Sequence, residues 1–162
     1  MARVLVTGMS GVGKSTALVA LQELGHHVVD TDWPGWSREI LAEDGTLVEQ
    51  LWREDRMAAL LSETRDAHLF VSGCTANQVA FYDRFDAIVL LATSLEVVFG
   101  RVAARTGNPY GKSVAERAQI EEHVATVEPL LRRGATHEID ASRPLVEVVE
   151  TLVEIADRAG RA

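Results

Sequence analysis

The 162-residue chain is 47% hydrophobic, enough for one compact domain with an adequate core, and no Pro/Gly/Ser-rich linker or internal repeat divides it. Its net charge of −8 argues against a nucleic-acid or anionic-membrane partner, either of which requires a basic face. Cys74 is the only cysteine, which excludes an intramolecular disulfide and fits a reduced cytoplasm; no apolar run approaches the ~20 residues of a membrane span, and a first strand beginning within three residues leaves no room for a signal peptide.

The apolar run Val4-Leu5-Val6 predicts a strand, and Gly8-Met9-Ser10-Gly11-Val12-Gly13-Lys14-Ser15 follows it directly as G-x-x-x-x-G-K-S. A strand before this spelling and a helix after it are the context of a phosphate-binding loop. Its glycines let backbone N–H groups turn inward around phosphate oxygens, and the helix beginning at Lys14 points the positive end of its dipole at them. Residues Gly8, Ser10, Gly11, Val12, Gly13, Lys14, Ser15 and Thr16 are therefore the candidate nucleotide contacts. Within that set Lys14 reaches the β/γ-phosphates and the Ser15 hydroxyl ligates Mg²⁺. Ala17, Leu18, Leu21 and Leu24 mark the buried face of this helix, which Gly25 stops.

A second strand, His27-Val28-Val29, delivers Asp30-Thr31-Asp32 at its C-terminal end, the edge where open α/β sheets bind ligands. Two carboxylates beside a phosphate loop can partner Mg²⁺ through water and accept a substrate proton, or they can cap a turn. The connection Trp33-Pro34-Gly35-Trp36 places two indoles nearby, as pocket walls or as core caps. A helical stretch is expected from Ser37 to about Ala42, broken by Gly45. A longer helix is expected from Leu47 to about Thr64, carrying Arg53 and Arg56.

His68-Leu69-Phe70-Val71 reads as a central buried strand that ends at Ser72-Gly73-Cys74. Gly73 permits close backbone approach there. Cys74 has no evident activating partner, and Asn77 and Gln78 either bind a substrate or start the next helix. No carboxylate ends this strand, so an ordinary Walker B residue is missing and Asp30 must take that role if Mg²⁺ is held.

Ala87 to Leu91 predicts a fourth strand, and Thr93-x-x-Glu96 predicts a capped helix that carries Arg101 and Arg105 on one face. The turn-rich segment at about 105–113 then reads as a mobile lid flanked by Arg105 and Lys112. Such a cover excludes water while its cations meet developing charge. A helix is expected from Ser113 to about Arg133, a weak strand over His137-Glu138-Ile139, and a last helix opened by Asp140-Ala141-Ser142-Arg143-Pro144.

The phosphate loop followed by Val28-Val29-Asp30-Thr31-Asp32 resembles the small P-loop kinases of the shikimate kinase, gluconate kinase and adenylate kinase group. The resemblance implies an α/β fold, a three-layer α/β/α sandwich of P-loop NTPase type with a five-stranded parallel sheet in the order 2-3-1-4-5. It makes residues 1–162 one kinase domain, usually monomeric, that uses ATP and Mg²⁺ to phosphorylate a small-molecule acceptor. It assigns Ser15 and Asp30 to Mg²⁺ and Asp32 to the acceptor hydroxyl. It lays Arg101 against the adenine ring, with Arg143 and Pro144 in the loop around the base and Arg101, Arg105 and Lys112 closing over the transition state. Trp33, Arg53, Gly73, Cys74 and Gln78 become substrate candidates. In shikimate kinases an aromatic–arginine pair is followed by a glutamate three residues after the arginine; Trp52-Arg53 matches the pair, but Arg56 stands at the glutamate position and weakens shikimate as substrate. Two other readings stay open: a nucleoside monophosphate kinase, whose acceptor phosphate needs no base, and a nucleotide-binding regulator with slow ATPase activity.

Overall fold

A computed structural model describes residues 1–162. Strands β1 (Arg3–Thr7), β2 (His27–Asp30), β5 (Leu69–Ser72), β6 (Ala87–Ala92) and β7 (His137–Asp140) form one parallel sheet in the order β2-β5-β1-β6-β7. Strands β3 (Ser37–Leu41) and β4 (Leu47–Trp52) pair only with each other, so the five parallel strands, counted among themselves, keep the expected 2-3-1-4-5 order.

Both faces of this sheet are covered because alternate side chains point opposite ways. Val4, Val6 and Val89 face a core closed by α1 (Lys14–Glu23), α3 (Leu95–Ala104), α4 (Val114–Thr126) and α6 (Leu145–Ala159). Leu5, Val71 and Ile88 face the other core, closed by α2 (Glu54–Ser62) and the 3₁₀-helix Ala76–Arg84. None of the helices is long and apolar enough to cross a membrane.

The segment from 37 to 64 departs from the helices expected there. Ser37–Leu41 and Leu47–Trp52 are antiparallel strands, and only Glu54–Ser62 is helical. Asp44-Gly45 makes the turn: Gly45 takes φ +83°, and the Asp44 carboxylate accepts the Thr46 N–H at 2.9 Å. Asp-Gly between two hydrophobic runs is a hairpin signal that outweighs an approximate helical spacing of leucines. Tertiary contacts hold the result. Trp52 is fully buried against Phe81, and Asn77 clamps its backbone by accepting the Trp52 N–H at 2.9 Å and donating to the Trp52 carbonyl at 3.0 Å.

Two further boundaries shift. Ser94, not Thr93, caps α3 by accepting the Val97 N–H at 3.3 Å. The expected helix 113–133 is two: α4 keeps the Ser113/Glu116 capping box, and Pro129 near the start of α5 (Glu128–Gly134) interrupts the continuation.

Candidate active site

Strands β1, β2 and β5 bring their C-terminal ends to one edge of the sheet, where the phosphate loop connects β1 to α1. Gly13, the residue before α1, takes φ +100°, a left-handed conformation that turns the chain from loop into helix with little strain only for glycine. Gly8 is constrained by space as well. A Cβ there would lie 2.4 Å from the Leu91 carbonyl oxygen of β6.

The loop and α1 place Ser15 beside Asp30. The Ser15 hydroxyl donates to Asp30 Oδ2 at 2.6 Å, while Asp30 Oδ1 accepts the Asp32 N–H at 3.0 Å. Asp30 is nearly inaccessible to water, so both carboxylate oxygens are fixed by these bonds. The Lys14 ammonium folds back on its own loop, donating to the Gly8 carbonyl at 2.6 Å and the Met9 carbonyl at 3.1 Å. Burial holds its pKa below the usual lysine range, against the opposing pull of Cys74, Asp32 and Asp30.

Asp32 turns outward from the end of β2 into a cleft of about 1100 Å³ that it shares with Lys14, Ser15 and Cys74. The surrounding protein raises its pKa above the ordinary carboxylate value, Asp30 adds to the rise, and Lys14 opposes it. The Cys74 thiol, exposed at the cleft, is likewise pushed up by the protein packed around it, so it stays protonated at neutral pH.

The cleft's second wall comes from α3, the 105–113 segment, α4 and the start of α6. Arg101 donates to the Val12 carbonyl at 2.9 Å and to the Ala141 carbonyl, tying the phosphate loop to the segment before α6. Arg105 donates to the Asn108 carbonyl at 3.1 Å and to the Tyr110 carbonyl, and Lys112 donates to the Arg105 carbonyl at 2.6 Å. Arg143 lines the cleft while paired with Glu147 at 2.8 Å; Pro144 precedes α6 and does not line it.

Four substrate candidates lie away from this cleft. Trp33 is exposed on the outer surface, and Arg53 is exposed at the start of α2. Gly73 is buried where a Cβ would meet Thr31 Oγ1 at 2.4 Å, so it serves the close packing of β2, β5 and Trp52. Gln78 is 1% exposed, and its amide is consumed internally: it donates to Thr7 Oγ1 at 3.2 Å and Tyr82 at 3.0 Å and accepts the Thr75 N–H at 3.1 Å. Arg56 stacks 4.3 Å over Trp36 and donates to the Gly35 carbonyl, which leaves neither residue facing the cleft.

The hairpin is not expected from the sequence as a wall, yet Leu47, Val48, Glu49 and Gln50 of β4 line the same cleft. The Asp44-Gly45 turn is the signal that identifies it.

Residues 4–122 match the AAA domain family, described by that name. The chain belongs to the AAA domain family. Within it, this member is similar over 94% of its length to shikimate kinase 2 of Yersinia enterocolitica, with 28% identity across 169 aligned positions and 94% of that protein covered. A nucleotide-binding protein of Koribacter versatilis is also 28% identical, over 173 positions that span 98% of this chain and 50% of that protein. The fold is shared with the shikimate kinase of Bacteroides thetaiotaomicron, at TM-score 0.65 and 20% identity over 96% of this chain and 98% of the other. It is shared as well with a gluconokinase of Sinorhizobium meliloti, at TM-score 0.56 and 22% identity over 99% and 92% of the two chains. The phosphate loop and the strand ending Asp30-Thr31-Asp32 stand in this AAA domain protein on the fold that these kinases share.

Proposed function

We propose that the protein transfers the γ-phosphate of ATP, with Mg²⁺, to a hydroxyl group of a small metabolite. The observation that carries this reading is the convergence of Lys14, the Ser15–Asp30 pair and Asp32 on one cleft edge. Phosphoryl transfer is mostly positioning and charge stabilisation, and these are the groups it needs.

Hard oxygen donors suit Mg²⁺, and the Ser15 hydroxyl with the Asp30 carboxylate behind it supplies such a set. No group of three or more His, Cys, Asp or Glu side chains gathers elsewhere to hold a metal, so Ser15 and Asp30 would share the ion with the nucleotide's own phosphate oxygens. When bound, Mg²⁺ supplies charge neutralisation on the β- and γ-phosphates.

In this reading the loop amides from Gly8 to Thr16 bind the phosphates, and the Lys14 ammonium exchanges its carbonyl partners for phosphate oxygens. The acceptor oxygen bonds to the γ-phosphorus, the bond to the β-bridging oxygen breaks with its electron pair leaving on ADP, and the hydroxyl proton passes to Asp32. The raised pKa of Asp32 favours its taking that proton. In the same reading Arg105 and Lys112, tied within the 105–113 segment, would close over the transferring group, and Arg101 and Arg143, which line the cleft, would flank the base. A small-molecule acceptor, a monomer and a cytoplasmic setting complete the proposal.

ADP release in the presence of ATP, Mg²⁺ and a panel of hydroxylated metabolites and nucleoside monophosphates tests it. Asp32→Asn is expected to lower turnover on a hydroxyl acceptor by ~10²–10⁴-fold, the range of a lost general base. Unchanged turnover in that variant favours a monophosphate acceptor instead. The match to a nucleotide-binding protein over nearly the whole chain supports a second reading, a regulator that binds and slowly hydrolyses ATP. Binding of ATP without phosphorylation of any acceptor would decide for it.

A further inference from the structure

Gln78 stands at the start of the 3₁₀-helix with 1% of its surface exposed, and Thr7, the last residue of β1, is fully buried. Burying an amide is unfavourable unless its hydrogen bonds are made, and here they are. The Thr75 N–H can only donate, which turns Oε1 toward it at 3.1 Å and leaves both amide hydrogens for the Thr7 hydroxyl at 3.2 Å and the Tyr82 hydroxyl at 3.0 Å. A capping box, with Gln78 three residues after Thr75, accounts for Oε1. It does not account for Nε2, which reaches a residue 71 positions away in sequence.

Two of these partners border the cleft. Thr7 directly precedes Gly8 and Thr75 directly follows Cys74, and Gly8 and Cys74 line the cleft with Lys14. On its other side Gly8 has no room for a Cβ against the Leu91 carbonyl of β6. Its own carbonyl accepts the Lys14 ammonium at 2.6 Å. The path from the buried amide to that ammonium therefore runs through one hydroxyl, one peptide and one hydrogen bond.

Resting on the nucleotide-binding part of the kinase reading, we infer that Gln78 is a positioning residue of the phosphate loop. Acting through the Thr7 hydroxyl, it fixes the Gly8 peptide relative to Cys74, and so sets where Lys14 and the first loop amides meet the phosphates of the nucleotide. Its bond to Tyr82 serves the fold alone.

Calorimetry of the full-length protein with ADP and Mg²⁺, beside Tm of the free protein, tests this without any acceptor. Gln78→Met removes the amide at similar volume, and Thr7→Val removes only the hydroxyl. Each is expected to raise Kd for ADP about tenfold, as small displacements of positioning groups do. The double variant is expected to bind no more weakly than either single one, because both break the same link. Thr7→Ser restores the hydroxyl and is expected to bind like the wild type, while Tyr82→Phe is expected to lower Tm and leave Kd unchanged. A lowered Tm with unchanged Kd in Gln78→Met and Thr7→Val, or losses that multiply in the double variant, overturns the inference and leaves the kinase reading in place. Thr7→Val against Thr7→Ser keeps the comparison decisive if Gln78→Met does not fold. Absence of any binding of ADP or ATP by the wild-type protein overturns both.

Discussion

Asp30 and Asp32 are two residues apart on one strand end, yet their surroundings give them different chemistry. Asp30 is buried and held by the Ser15 hydroxyl and the Asp32 N–H, so it cannot turn to a substrate. Asp32 faces the cleft, where the surrounding protein and the charge of Asp30 lift its pKa. Its carboxylate form is lost as pH falls through that raised value, so the acidic limb of kcat/KM is expected above the ordinary carboxylate range of about 4. A pH–rate profile checks this, and the limb should vanish in Asp32→Asn. Asp30→Asn keeps the shape but removes the charge behind Ser15. The Mg²⁺ concentration for half-maximal activity is expected to rise by ~10–100-fold, as for other groups that orient a metal ligand, measured by titrating Mg²⁺ at fixed ATP.

At the scale of elements, the β3–β4 hairpin stands apart from the parallel sheet. Its exposed apolar side chains, Leu41, Leu47 and Val48 among them, contribute little to the core, so its position depends on the anchor at its base. Trp52 supplies that anchor through burial, and Asn77 through two hydrogen bonds to the Trp52 backbone. Trp52→Ala is expected to cost about 3–5 kcal/mol, read from urea unfolding, through the cavity left between α2 and the 3₁₀-helix. Because β4 also lines the cleft, the same variant should raise KM for the acceptor more than KM for ATP. Arg101 plays the corresponding part on the other wall, joining the carbonyls of Val12 and Ala141, which lie 129 positions apart in sequence by their numbers.

Across the whole molecule, the end opposite the cleft is closed by a histidine pair. His68 accepts the Ala2 N–H at 3.0 Å on Nδ1 and meets Asp157 of α6 at 3.0 Å on Nε2, with the His26 ring 5.4 Å away. His26 Nδ1 is buried without a partner, and burial together with His68 lowers the His26 pKa. A lowered pKa means that the unfolded chain binds a proton more readily than the folded one. Stability therefore falls as pH drops through the unfolded value of about 6.5 and levels off below the folded one. Tm measured from pH 7.5 to pH 5 should decline, and His26→Gln should flatten that decline between those limits.

How much of this was legible in the residues differs from one stretch to the next. The strand–loop–helix around Gly8 to Ser15 and the Asp30-Thr31-Asp32 strand end could be read, because local backbone rules and hydrophobic period determine them within a few residues, while the order of the parallel strands followed from the family resemblance that those motifs carry. The hairpin, the inward amide of Gln78 and the outward guanidinium of Arg53 could not. Gln78 and Arg53 are polar residues near a ligand edge, and sequence alone does not say whether such a side chain faces the cleft, the core or the solvent. Packing of Trp52 beneath the sheet decides it, since burying that indole turns β4 toward the cleft and leaves Arg53 on the surface. Sequence by itself thus determined the strand–loop–helix of the phosphate-loop motif and its place in the chain; only the tertiary structure decided which residues share a cleft with it, because that depends on contacts between segments far apart in the chain.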